Sequence, residues 1–302
     1  MTTARLPTCQ VTWPEPLDLP ASLEGFRRWG DDGLERWDGR VLVRTARLAG
    51  ESVPFACTVL GTVEAPAVRV QVAAARHLPA VARLVQEMVV RTPSALAALV
   101  ARDAVIARLA RHYRGVRPVL QSDPFAALVR AITAQQVNLR WAHTVRRRLA
   151  EAFGTRHRLG PFYVYSLEPE RLARADPAAL RALQLTQRKA EAIIALAQAV
   201  ASGALDLDAL RQRSDAEVVA CLTAQRGLGR WSAEWFLART LGRPCVVAGD
   251  LGVRKAVGLA YLGGRVPSEA EVRTLTAHWG EAAGVAQQLL LHALLHGWPA
   301  AS

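Results

Sequence analysis

The first quarter of the chain alternates between apolar and polar residues with a period of two, and turn residues separate the alternating stretches. Asp38 and Gly39 lie between two such stretches and form a dipeptide that favours a hairpin turn, because both positions tolerate positive φ. The stretches lie at 34–37, 40–48, 53–60 and 67–72. This pattern predicts an N-terminal antiparallel β domain over residues 1–75.

From about residue 76 onward, the apolar residues recur with helical spacing at i, i+3, i+4 and i+7. One run with this spacing consists of Phe125, Leu128, Val129 and Ile132. Asp123 and Pro124 precede it as an N-cap and a first-turn proline. Glycines and prolines divide the rest of the chain into about ten predicted helices. The fold class is therefore α+β and predominantly α-helical, with a helical core over 76–302.

Composition and charge narrow the class of protein. Of the 302 residues, 51% are hydrophobic and 21% are charged, which is typical of a globular chain. The four cysteines are scattered, which argues against a disulfide framework, a zinc finger or an iron–sulfur cluster. With no apolar leader or membrane-length run, we expect a cytoplasmic, nucleoid-associated protein. The formal net charge of +12 favours a polyanionic partner, for which nucleic acid is the common choice.

The stretch from 214 to 241 combines two predicted helices with a glycine-containing turn. Ser214 and Glu217 have the spacing of a capping box that opens the first helix. Gly227 and Gly229 then lead into the second helix. Such a turn can aim successive backbone N–H groups, together with the positive end of a helix dipole, at a DNA phosphate. A plain connection between two antiparallel helices explains the same spacing.

Four motifs together resemble the helix-hairpin-helix DNA glycosylase superfamily. They occupy residues 123–136, 187–194, 222–233 and 246–255. More narrowly, they are similar to its alkylation-repair branch, the 3-methyladenine DNA glycosylase II type. This resemblance covers nearly the whole chain and implies an N-terminal β domain before a two-lobed helical core, with the helix-hairpin-helix at about 214–241.

Asp250 matches the catalytic aspartate of that family. Cleavage of an N-glycosidic bond builds positive charge on the sugar, and a fixed carboxylate near C1′ stabilises that charge or positions water. Asp250 also precedes a predicted helix at the place of an N-cap. Both roles are compatible with one another.

Trp231 stands where bifunctional members of the family have a Schiff-base lysine, so the resemblance implies a monofunctional glycosylase without lyase activity. Trp235 follows one helical turn later. Two electron-rich rings suit a cationic alkylated purine through stacking and cation–π attraction. The alternative for both residues is ordinary core packing at i, i+4.

The resemblance also implies a DNA interface. Gln136, with Gln135 beside it, matches the wedge that fills the gap left by an everted nucleotide. The expected phosphate contacts are Arg188, Lys189, Gly227, Gly229 and Arg230. The alternatives are an exposed helix end for the two glutamines and a solvated basic face for the charged residues.

No cofactor is expected to be required, but the family's hairpin binds a structural monovalent cation through main-chain carbonyls. By position these carbonyls would belong to Thr223, Gln225 and Leu228. The chain departs from the family at Ala282 and Ala283, where an aromatic–arginine pair is usual. This departure bears on the range of substrates.

The resulting hypothesis is a monomeric, monofunctional glycosylase that hydrolyses alkylated bases, such as 3-methyladenine and 7-methylguanine, from damaged double-stranded DNA. It would act in base excision repair without contact with a membrane. Two alternatives remain open: a glycosylase for another damaged base, and a non-catalytic protein that binds DNA structure.

Overall fold

The computed structural model describes residues 6–299. It confirms the predicted fold class, an antiparallel sheet followed by helices. The strands are β1 (Thr8–Thr12), β2 (Glu35–Trp37), β3 (Val41–Leu48), β4 (Glu51–Val59), β5 (Ala67–Val72), β6 (Gly154–Leu159) and β7 (Phe162–Leu167). The first five form one antiparallel sheet in the order β1-β5-β4-β3-β2, and β6 and β7 form a separate hairpin.

Thirteen α-helices follow residue 76 in the described part of the chain, where about ten were predicted. A short helix, α1 (Leu19–Leu23), precedes them within the β domain. The thirteen are α2 (Leu78–Glu87), α3 (Pro93–Val100), α4 (Ala104–His112), α5 (Pro124–Ala134), α6 (Leu139–Phe153), α7 (Pro169–Leu172), α8 (Pro177–Ala182), α9 (Gln187–Ala201), α10 (Asp215–Thr223), α11 (Arg230–Arg239), α12 (Leu251–Tyr261), α13 (Glu269–Thr276) and α14 (Ala283–His296).

The five-stranded sheet is covered on both faces. Alternate residues of a strand point to opposite faces, so Leu42 joins one apolar cluster and Val43 another. The first cluster includes Val81 and Val85 of α2, a segment that was predicted to belong to the helical core. In the second cluster, Val164 of the β6–β7 hairpin packs against the sheet.

The helices form two lobes with separate cores. The first lobe centres on α5, α9 and α11, whose buried side chains share one cluster. The second lobe combines α3 and α4 with α12, α13 and α14 around buried Trp279. Because α11 and α12 are consecutive in the chain but belong to different lobes, the loop between them connects the two lobes.

Two predicted helix starts are confirmed. The Asp123 side chain accepts a hydrogen bond from the Ala126 N–H at 3.0 Å, and Pro124 opens α5. Ser214 and Glu217 form the reciprocal capping box that opens α10. Within residues 6–299, no helix is both long and apolar enough to span a membrane.

A buried ionic network ties the β domain to the first lobe. Asp32 is 1% exposed, and its Oδ2 pairs with Arg146 Nε at 2.8 Å and Arg130 Nη1 at 3.1 Å. Arg130 Nη2 also pairs with Glu35 Oε2 at 3.0 Å, and Glu35 pairs with Arg44. Since Asp32 precedes β2 while Arg130 and Arg146 lie on α5 and α6, the network fixes these elements relative to one another.

Candidate active site and DNA interface

A hydrogen bond between Asp250 and Trp231 links the two lobes. Asp250 is the N-cap of α12, and its Oδ1 accepts a hydrogen bond from the Val253 N–H at 3.1 Å. Its Oδ2 accepts a hydrogen bond from Trp231 Nε1 at 3.0 Å. Within residues 6–299, no arginine, lysine or histidine forms an ion pair with this partly buried carboxylate. The carboxylate is therefore held by two neutral donors and not by a salt bridge.

Trp235 has a different environment from Trp231. Its partly buried ring packs against the core of the first lobe, whereas the indole of Trp231 bonds to a residue of the other lobe. The structure thus brings Trp231 to Asp250, and it gives Trp235 the packing contacts that the alternative interpretation anticipated. The assignment of both rings to a base pocket stays a prediction.

The turn between α10 and α11 contains two glycines, and its geometry requires glycine at only one of these positions. Gly227 has φ +80°, and a Cβ there would lie 2.4 Å from the Cβ of Ala192 on α9. Gly229 has φ −109° and open space where a Cβ would lie. Gly227 therefore allows the turn to pack against α9, while Gly229 is the N-cap of α11 and is exposed.

This difference predicts unequal effects of two matched substitutions. Gly227→Ala should lower the free energy of unfolding by about 2–4 kcal/mol. Alanine would be strained at this positive φ, and its Cβ would clash with the Cβ of Ala192. Gly229→Ala should lower it by less than about 1 kcal/mol, because alanine is a poorer N-cap than glycine but its Cβ has open space there. Urea unfolding of both variants tests this, and equal losses would contradict the assignment of the close contact to Gly227.

Arg230 is exposed but tethered at the start of α11. Its Nε donates to Glu234 Oε1 at 2.8 Å, and Arg273 Nη2 donates to the same oxygen at 2.6 Å. Glu234 is 3% exposed. Glu234 and Arg273 are not among the residues predicted from the sequence. The i, i+4 spacing of Arg230 and Glu234 was a readable signal, while the Arg273 contact depends on the tertiary fold.

The predicted wedge residues lie just beyond α5. Gln135 leaves the helix in an extended conformation, and Gln136 has φ +54° and is exposed. Gln135 Nε2 donates to the Gly227 carbonyl at 2.8 Å, so a hydrogen bond joins the predicted wedge to the hairpin turn. Arg188 is exposed, whereas the Lys189 ammonium donates to two main-chain carbonyls at the end of α5.

Five further predicted positions lie either in the core of the second lobe or around the hairpin turn. Ala282 and Ala283 are buried in the core of the second lobe around Trp279, so these side chains pack in the core. Thr223, Gln225 and Leu228 surround the hairpin turn. No group of three or more histidine, cysteine or acidic side chains able to hold a metal occurs in residues 6–299.

A protein-family model matches the part of the chain that contains the residues described above. The model of the HhH-GPD superfamily of base excision DNA repair proteins matches residues 129–282, which include the predicted wedge, the hairpin and Asp250. The chain belongs to this superfamily. Its curated relatives confirm the resemblance to the alkylation-repair branch.

Among those relatives, DNA-3-methyladenine glycosylase of Bacillus subtilis is 29% identical over 181 residues, 59% of this chain and 60% of that protein. DNA-3-methyladenine glycosylase 2 of Escherichia coli is 35% identical over 137 residues, 45% of this chain and 48% of that protein. The matches therefore span about three fifths or less of these relatives' lengths.

Solved structures share the fold over nearly the whole chain. A 3-methyladenine DNA glycosylase from Archaeoglobus fulgidus superposes with a TM-score of 0.83 at 23% identity, covering 95% of this chain and 97% of that one. An 8-oxoguanine glycosylase/lyase from Clostridium acetobutylicum reaches 0.71 at 16% identity, covering 97% and 99%. At these identities, the likeness concerns the fold alone.

Proposed function

We propose that this protein is a monofunctional DNA glycosylase that hydrolyses alkylated bases from damaged duplex DNA in base excision repair. The observation that carries the proposal is the Asp250 carboxylate, which Val253 and Trp231 hold between the two lobes by hydrogen bonds from neutral donors. Such a carboxylate is suited to stabilise a positive charge that develops on a bound molecule. Names of relatives in the alkylation-repair branch support the substrate class.

The reaction follows from that charge. As the C1′–N bond breaks, its electron pair leaves with the base, and positive charge builds on the deoxyribose. Asp250 stabilises this charge more in the transition state than in the ground state, which is the condition for acceleration. A water oxygen then bonds to C1′ and releases a proton to solvent. An alkylated purine that is already cationic leaves as a neutral base, so no general acid is required.

The proposal of hydrolysis without strand cleavage rests on the positions of the lysines. A lyase step needs an amine that attacks C1′ to form a Schiff base. The chain has two lysines. Lys189 is bonded to the end of α5, and Lys255 lies exposed on α12, five residues beyond Asp250 in sequence. Trp231 occupies the position at which the bifunctional proteins are expected to have lysine.

The proposed DNA interface includes a monovalent cation held by the carbonyls of Thr223, Gln225 and Leu228. Carbonyl oxygens are hard ligands suited to such an ion, and Thr223 ends α10, where helix carbonyls lack intrahelical partners. The Leu228 N–H donates to the Gln225 carbonyl at 3.2 Å, which draws the two residues together and leaves that oxygen a second lone pair. When bound, the ion would supply positive charge that favours a DNA phosphate at this turn. We further propose that a monomer suffices for one duplex.

Release of free bases from methylated duplex DNA tests the proposal. The purified protein should release 3-methyladenine or 7-methylguanine, and the abasic strand should stay intact until alkali is added. Borohydride should trap no protein–DNA adduct. Strand cleavage or trapping would overturn the monofunctional assignment. Binding of the methylated duplex without release would exclude these substrates, and a panel of oxidised and deaminated lesions would then separate another specificity from a non-catalytic binder.

A further inference from the structure

The wedge segment, defined here as residues 135–137, stands on a backbone conformation that needs support. Gln136 has φ +54°, a left-handed value that costs a residue with a side chain about 1–3 kcal/mol. Such a conformation persists when its surroundings hold it from several sides. Two sets of hydrogen bonds provide that support here, one from α9 and one from the hairpin turn.

The first set comes from Lys189 in the first turn of α9. Its Nζ donates to the Thr133 carbonyl at 3.0 Å and to the Gln135 carbonyl at 2.7 Å. These carbonyls lie at the C-terminal end of α5, where backbone oxygens lack helical partners and the helix dipole is negative. Burial lowers the pKa of Lys189. Two of its three N–H groups are therefore directed at the backbone that carries the wedge.

The second set links the wedge segment to the hairpin. Gln135 Nε2 donates to the Gly227 carbonyl at 2.8 Å and lies 3.3 Å from the Oγ of buried Ser232. Gly227 in turn packs against Ala192, one helical turn beyond Lys189 on α9. The start of α9 therefore supports both the wedge and the phosphate-binding turn.

We infer that Lys189 is a positioning residue for base eversion, which holds Gln136 in register with the hairpin. This inference rests on the proposed function. The wedge must enter the base stack at a fixed distance from the gripped phosphate for eversion to succeed. A neutral side chain at 189 would leave two carbonyls unpaired and let the left-handed turn relax. Such a substitution should therefore slow eversion of the base and leave the rate of bond cleavage at Asp250 unchanged.

The decisive experiment compares the same lesion in two contexts. Single-turnover release of 7-methylguanine is measured opposite cytosine, where the base must be unpaired, and opposite an abasic site, where eversion is easy. Lys189→Met should slow release opposite cytosine by about tenfold or more, equivalent to about 1.4 kcal/mol of barrier. Opposite the abasic site, it should slow release by less than about twofold. Since both rates come from one preparation, their ratio is independent of the folded fraction.

Arg188→Met is the matched control: it removes the same charge from the exposed neighbouring position, a predicted phosphate contact, so it should weaken binding in both contexts and leave the ratio of the two rates unchanged. If Lys189 acted instead as a phosphate contact, both variants would weaken binding in both contexts and reduce its salt dependence. Lys189→Arg should restore part of the context ratio, since a guanidinium can donate to two carbonyls. Equal slowing of Lys189→Met in both contexts would overturn the inference.

Fluorescence of 2-aminopurine placed beside the lesion separates this inference from the proposed function. Eversion unstacks the probe without any chemistry. A rise with the unaltered protein that is lost in Lys189→Met supports positioning even if no base is released. If the unaltered protein releases base and Lys189→Met gives the same fluorescence rise as the unaltered protein, the positioning role fails while the proposed glycosylase activity stands. The absence of any rise with the unaltered protein would also overturn the positioning role.

Discussion

Replacing Asp250 with asparagine is expected to slow base release by about 10²–10³-fold while leaving lesion DNA bound. The amide retains an oxygen that can cap α12 through Val253, so the helix start should persist. It removes the negative charge that opposes the sugar cation, and the loss of one such stabilising group costs two to three orders of magnitude. Single-turnover release and a binding titration on the same duplex measure the two effects.

The control for that variant is Asp176→Asn. Asp176 caps α8, with its Oδ1 accepting from the Ala178 N–H at 2.8 Å, so the chemical change at a helix N-cap is the same. Its rate of base release should match that of the unaltered protein. If Asp250→Asn retained more than about a tenth of the rate, Asp250 would be a capping residue only, and another group would have to stabilise the sugar.

The second large effect is expected on stability. Asp32→Asn should lower the free energy of unfolding by about 3–5 kcal/mol, because it leaves Arg130 and Arg146 buried without their shared carboxylate. The neighbouring variant Asp31→Asn should cost less than about 1 kcal/mol. Asp31 is 45% exposed in its side chain and pairs with Arg36 at the surface. Urea unfolding at neutral pH compares the adjacent positions directly.

The pH dependence of that effect has a defined sign. Burial opposes ionisation of Asp32, but Arg130 and Arg146 outweigh it and hold the pKa of Asp32 below its ordinary range. A depressed carboxyl pKa contributes stability above the unfolded value of about 4, and that stability is lost as the pH falls toward the folded value. The difference between the unaltered protein and Asp32→Asn should therefore be largest at neutral pH and narrow in acid. A difference that widened as the pH fell would contradict this account.

Local signals in the sequence were sufficient for several features of the fold. The Asp38–Gly39 turn joins β2 and β3 as predicted, and Asp38 Oδ1 accepts from the Val41 N–H at 2.7 Å. Asp123 with Pro124 marks the start of α5. In each case, one side chain bonds to backbone within three residues, so the neighbouring sequence contains the whole interaction.

Non-local pairing was not readable in the same way. β1 pairs with β5 over some 60 residues of intervening chain, with Thr8 opposite Gln71. The β6–β7 hairpin lies within the helical region, and its polar strand β6 shows no clear alternation. The apolar contacts that stabilise that hairpin come from Val43 and its neighbours on the β domain, which periodicity within the hairpin does not reveal.

The sequence alone determined the fold class through its hydrophobic periodicity, and its resemblance to a known family pointed to the helix-hairpin-helix segment and to Asp250, because such motifs are residue types at short, fixed spacings. Tertiary structure decided which side chains meet. Lys189, predicted as a phosphate contact, has its ammonium directed at the carbonyls behind the wedge, and Trp231 reaches Asp250 from the opposite lobe. Such contacts depend on how distant elements pack, since the direction of a long side chain is set by the partners that the fold brings within reach.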